Sequence, residues 1–157
     1  MVDQQMYERT AQELLPTLYK IAIGMLRSDA DARDAVQQAL LKAWEKRQFA
    51  QADTFRGYLT RILINECHNV QRHRMRVFPA ELPPLPTPKQ ADYRELFEAV
   101  HALPEPLKLA IWLKYLHNYS EKEAAQALGI PVTTFKMRLH RARQKLREML
   151  DREVMFE

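Results

Sequence analysis

The chain has 157 residues, 46% of them hydrophobic and 28% charged, with a net charge of +4. That is enough apolar material for one domain or two small ones, and the mild basic excess favours anionic partners without proving nucleic-acid binding. A single cysteine, Cys67, excludes an internal disulfide and suits a reducing cytoplasm. The opening stretch MVDQQMYERTAQELL carries charges where a signal peptide needs an apolar run, and no segment approaches the roughly 20 apolar residues of a membrane span. The expectation is a soluble, cytoplasmic protein with no direct membrane insertion.

Only three glycines, against many helix-forming residues, favour an all-α chain. The first helix is expected from about Gln5 to Met25, with Leu14, Leu18, Ile21 and Met25 at helical spacing and Pro16 as a kink or a division. A second is expected from Ser28 or Asp29, either of which can cap it. It places Ala32, Ala35, Val36, Ala39, Leu40, Ala43 and Trp44 on one side, with Asp31, Asp34, Gln37, Gln38 and Glu45 outward. Arg47 to Asp53 forms a short polar connection. A third helix is expected from Asp53 or Thr54, carrying Tyr58, Leu59, Ile62, Leu63 and Val70 and ending in QRHRMR.

The stretch 78–90 reads FPAELPPLPTPKQ, with prolines at Pro79, Pro83, Pro84, Pro86 and Pro88. Each proline removes a backbone donor and disfavours helix at the residue before it, so this segment reads as an extended interdomain linker. The domains expected are therefore 1–77 and 91–157, two small helical domains joined through 78–90. The alternative is a long surface loop within one domain.

Beyond the linker, Tyr93 to Ala102 carries Leu96, Phe97 and Val100. Pro104 and Pro106 suit the start of a helix running through Leu107 to His117, with Leu109, Ile111, Trp112 and Leu116. Ser120 and Glu123 form a capping-box pattern opening Glu121 to Leu128, Gly129 ends that helix, and Pro131 to Thr134 opens the last. A short capped helix, a glycine turn and a second helix make a helix-turn-helix layout.

In the last helix Phe135, Leu139, Ala142 and Leu146 define a buried stripe, which puts Met137, His140, Arg141 and Gln144 on the opposite side. Lys136 and Arg143 flank one edge of the stripe, and Arg138 and Lys145 the other. Such a face suits duplex DNA: base edges are read near the helix start, while flanking cations hold phosphates. Arg141 can pair bidentately with a guanine, Lys136 can reach a guanine or a phosphate, and Thr133 and Thr134 can donate to phosphate beside the free amides. The competing explanation is a basic, solvated packing helix.

The third helix mixes cations with amides, in Arg61, Asn65, Asn69, Arg72, Arg74 and Arg76, with Phe55 and Tyr58 near its start. That is chemistry used to hold single-stranded or opened nucleic acid, although charged helix faces are commonly just solvated.

These segments together resemble the ECF (extracytoplasmic-function) group of sigma factors of bacterial RNA polymerase. DADARDAVQQALLKAW is similar to the polymerase-binding part of sigma region two, and FRGYLTRILINECHNVQRHR to the following segment that contacts the minus-10 element. LPEPLKLAIWLKYLHNYSEKEAAQALGIPVTTFKMRLHRARQKLREML resembles sigma region four, which reads the minus-35 element. The resemblance implies a sigma factor that binds core RNA polymerase, recognises both promoter elements and promotes opening, with no enzymatic activity and no cofactor. It implies that Asp34, Gln37 and Gln38 face the polymerase, and that Arg61, Asn65, Asn69 and Arg72 lie along minus-10 DNA. Thr133, Thr134, Lys136, Met137, Arg138, His140 and Arg141 would meet the minus-35 element, and the Arg47 to Asp53 connection would help hold a flipped base. An anti-sigma factor is a further implied partner.

Two departures bear on specificity. The family often has Gly-Thr-Val-Lys-Ser-Arg where this chain has Thr133-Thr134-Phe135-Lys136-Met137-Arg138, so Met137 replaces a small hydroxyl residue at a base-facing position. Many relatives carry Asp-x-x-Arg where this chain has Asn69-Val70-Gln71-Arg72. The other function class, a stand-alone helix-turn-helix regulator, would bind a duplex operator as purified protein. Cys67, His68 and His73 lack a second cysteine for a zinc set, and Asp29, Asp31 and Asp34 sit at a helix start where carboxylates favour the dipole, so no metal site is expected.

Overall fold

The first helix starts where the sequence offers its first cap. Asp3 is extended and its carboxylate accepts from the Met6 amide at 2.8 Å, opening α1, Gln4–Leu26. The helix runs unbroken through Pro16. Ser28 then caps α2, Asp29–Glu45, accepting from the Asp31 amide at 3.2 Å. Two 3-10 turns, Arg47–Phe49 and Ala52–Thr54, make the connection to α3, Phe55–Val77. The computed structural model describes residues 1–77 and 94–155, with side chains through Leu150; the expected linker 78–90 and Tyr93 lie outside the described residues.

Contacts divide the chain into two compact units, one of residues 1–85 with 126–129, the other of 86–125 and 130–157. In the first, α1, α2 and α3 pack against one another pairwise. Leu14, Leu18, Ile21, Leu26, Val36, Ala39, Phe55, Leu59 and Leu63 form its core, and each large side chain there contributes about 1.5–3 kcal/mol by leaving water. An aromatic cluster ties the three helices: Tyr7 meets Trp44 edge-on at 5.0 Å and Phe55 at 6.0 Å.

The buried side of α3 is broader than its periodicity suggests. Phe55, Gly57, Leu59, Thr60, Leu63, Ile64 and Cys67 are buried, whereas Tyr58, Ile62 and Val70 are only half-buried. Because α3 packs on both α1 and α2, it turns two strips inward. Thr60 is tolerated there because its hydroxyl donates to the Arg56 carbonyl at 2.9 Å.

In the second unit α4, Arg94–Ala102, leads to α5, Glu105–Ile111, which starts at Pro104 and Pro106 as expected. The helix loosens into one π turn over Trp112–Leu116, where the His117 amide reaches the Trp112 carbonyl at 3.0 Å. Leu116, expected in the core, is 64% exposed, and Tyr119 is buried beyond the turn. The Ser120–Glu123 capping box is reciprocal, at 3.0 and 3.1 Å, and opens α6, Glu121–Leu128, whose last turn the division counts with the first unit. Gly129, at φ +68°, makes the left-handed turn into α7, Val132–Met155. Phe135, Leu139 and Ala142 of the expected stripe are fully buried, Leu146 at its far end is only half-buried, and α4 and α5 both pack on α7. Among the described residues every regular element is helical.

Candidate nucleic-acid interface

Three exposed faces carry the expected site residues, each on its own helix. On α7 the rotation is fixed by the buried Phe135, Leu139 and Ala142. Thr133, Met137, His140, Arg141 and Gln144 are exposed on the opposite side, with Lys136 exposed at one flank and Thr134 and Arg138 half-buried. Arg141 has no partner among the described residues. The Lys136 ammonium pairs with the Glu121 carboxylate of α6 at 3.5 Å. The first turn of α7 leaves amides without helical partners beside Thr133, adding the partial positive charge of a helix start. Arg143 is not simply a phosphate cation, because its guanidinium lies 5.9 Å from the centre of the Tyr115 ring.

On α3, Arg61, Asn65, Asn69 and Arg72 are all exposed and fall on one strip of the helix. Arg72 donates to the Asn69 side-chain oxygen, which joins the two into one polar group. His68, Met75 and Arg76 continue this strip around an open depression of about 690 Å³ that also involves Asn69, Gln71 and Arg72. His68 and Met75 both project onto the face defined by Arg61 and Arg72, a placement that helical spacing alone makes available.

Two residues read as nucleic-acid groups are held elsewhere. Phe55 is fully buried and cannot stack on a base. Arg74 donates to the Leu26 carbonyl at 2.6 Å and pairs with the Asp31 carboxylate. Its neighbour on that side, Gln71, donates to the Met25 carbonyl at 3.3 Å. Together they satisfy carbonyls that the end of α1 leaves without helical partners.

On α2, Asp34, Gln37 and Gln38 are exposed together. Leu41 is 56% exposed and projects between them, beside a shallow groove lined by Tyr7, Gln37, Leu40, Leu41 and Trp44. Leu41 stands seven residues after Asp34, so its place on this face was available from spacing. The Tyr7 hydroxyl donates to the Leu40 carbonyl at 2.6 Å, and burial pushes its pKa above the ordinary value. In the connection, the Arg47 guanidinium stacks 3.6 Å from the Trp44 ring centre and donates to the Trp44 carbonyl at 2.8 Å, leaving Phe49 exposed.

A three-helix unit and a helix-turn-helix unit make an all-helical chain with exposed polar faces on α2, α3 and α7. The family model for sigma-70 region 2 matches residues 10–77, and that for sigma-70 region 4 matches residues 93–146. An RNA polymerase sigma-E factor from Streptomyces coelicolor is 31% identical over 156 residues, covering 92% of this chain and 84% of the relative. The ECF RNA polymerase sigma factor SigE of Mycolicibacterium smegmatis is 31% identical over 85% of this chain. This chain spans only 57% of that protein's length, and 42% of a probable sigma factor, RfaY, from Xanthomonas campestris. Among solved structures, the sigma factor RpoE in complex with the anti-sigma factor NepR from Bartonella quintana aligns with a TM-score of 0.72. That alignment is 30% identical and covers 89% of this chain and 95% of the other. The chain belongs to the ECF group of the sigma-70 family.

Proposed function

We propose that this chain is an alternative sigma factor that binds core RNA polymerase, recognises minus-35 and minus-10 elements and promotes DNA opening. The observation that carries the reading is the pairing, in one chain, of sigma-70 region 2 and region 4 sequences with exposed polar faces on α2, α3 and α7. The working divisions are 1–77 for polymerase and minus-10 binding and 91–157 for minus-35 binding, joined through the proline-rich sequence 78–90.

In this role the protein breaks no covalent bond and supplies binding energy. Unstacking a base step or flipping a base costs about a few kcal/mol. Arg61, Asn65, Asn69 and Arg72 offset that cost by holding bases and phosphates of the opened strand. Thr133, Thr134, Lys136, Met137, Arg138, His140 and Arg141 anchor the upstream duplex, and Asp34, Gln37 and Gln38 bind the polymerase. An anti-sigma factor is the expected inhibitor, and action in the cytoplasm follows from the polymerase partner. No helix among the described residues is long and apolar enough to cross a membrane.

The test is transcription from genomic DNA by core polymerase with and without the purified chain. Discrete start sites that depend on the chain, lost with Asp34→Ala or Arg141→Ala, support the reading and assign one residue to each interface. Absence of starts, together with tight sequence-specific binding of duplex DNA by the chain alone, would favour a stand-alone regulator.

A further inference from the structure

We propose that Met137 reads the C5-methyl group of a thymine, so that promoters used by this chain carry an upstream thymine whose methyl group is required. The inference rests on the reading of α7 as the helix that meets base edges, and it names the chemistry one position selects.

Met137 is 55% exposed, the one large apolar side chain strongly exposed on α7 among its described residues. It is the sixth residue of that helix, within the two turns that a recognition helix places deepest in the major groove. Its direction is fixed: Phe135, Leu139 and Ala142 are buried on the far side, so α7 cannot roll to hide it. Around it stand Thr133, His140, Arg141 and Gln144, and at its flank Lys136 is tied to Glu121. A flexible thioether chain is thus set apolar among donors.

The major groove gives that chain one good partner. Thymine alone presents a methyl group there, while adenine and guanine present the N7 acceptor at the corresponding edge and cytosine a bare C5–H beside its amino group. A thioether cannot replace the water that N7 would lose, so a purine opposite Met137 is disfavoured, and a cytosine there offers no methyl group to contact. A methyl group instead gains contact with the thioether chain and leaves water. Isolated exposed apolar residues are ordinary on protein surfaces, and it is the position of Met137 amid polar base-reading groups that gives it a role.

The test uses holoenzyme assembled from core polymerase and the full chain, on a strong promoter found by mapping its start sites. Each thymine of the upstream element is replaced in turn by deoxyuridine, which removes only the methyl group. One replacement should weaken promoter binding about fourfold, the effect expected for one buried methyl. Met137→Ser should remove that sensitivity, and Met137→Leu should retain it. Sensitivity at no thymine, or equal sensitivity in wild type and Met137→Ser, overturns the proposal while a loss of binding in Arg141→Ala leaves the role of α7 standing. Unchanged promoter binding in Arg141→Ala would overturn the base-reading role of α7 and this proposal with it.

Discussion

The two units use their polar side chains differently. In the first, they bridge helices: Arg74 and Gln71 of α3 close the end of α1, Arg74 also pairs with Asp31 of α2, Lys42 pairs with Glu66, and Tyr7 caps the Leu40 carbonyl. In the second, the polar bonds are mostly local, as in the Ser120–Glu123 capping box and the Arg94–Glu98 pair one turn apart, beside the exposed Lys136–Glu121 link between α6 and α7. The difference has a physical source. Three long helices leave carbonyl ends to be satisfied across the bundle, whereas short α5 and α6 are closed by their own caps and turns. An arginine on a basic helix is therefore not yet a DNA-binding arginine. Arg72 and Arg74 are two residues apart, yet Arg74 closes the end of α1 while Arg72 stays on the exposed strip of α3.

Exchanging those two arginines for alanine gives the largest expected contrast. Arg74→Ala should destabilise the protein by about 1.5–3 kcal/mol, the range for hydrogen bonds to charged groups, seen as an earlier thermal or urea transition. Arg72→Ala should leave the transition unchanged and reduce the salt dependence of promoter binding by about one phosphate's worth of slope. Equal stability losses would erase the division between the two sides of α3.

Tyr7 tests the same division more gently. Tyr7→Phe should cost about 1 kcal/mol at neutral pH through the lost bond to the Leu40 carbonyl. Its folded pKa is raised above the ordinary 10.0 by burial, so the unfolded chain ionises first. The neutral phenol's contribution is whole below pH 10 and lost as pH rises through the folded pKa. Stability of the native protein should therefore fall more steeply above that pH than stability of Tyr7→Phe. Parallel alkaline curves would remove the hydroxyl from the account.

The smallest effect is expected at Glu121. Its pair with Lys136 is well exposed, so Glu121→Gln should change stability by about 0–1 kcal/mol. Removing the carboxylate should nonetheless tighten promoter binding modestly, by releasing Lys136 toward DNA. A weakened complex would mean that the pair positions Lys136 instead of competing for it.

How much was legible in advance differs between the same two regions. On α7 the stripe of Phe135, Leu139 and Ala142 is narrow and strictly spaced, so the exposed face followed directly by projection. The caps at Ser28 and Ser120 and the turn at Gly129 were equally local, each set by one side chain and its neighbours. On α3 the inward side is wide because two helices pack on it, and periodicity alone left Thr60, Ile64 and Cys67 out of the core. By its neighbours in sequence Arg74 groups with the cations of α3, since nothing near it shows that the end of α1 lies within its reach.

By itself, then, the sequence determined the helices, their caps, the helix-turn-helix and the outward face of α7, because each depends on interactions within about one helical turn. The tertiary structure alone decided which cations remain outward, that Phe55 is buried, and that Leu116 is exposed at the end of the π turn. Those outcomes depend on which distant segments meet, and pairing between segments is not encoded in the spacing of either one.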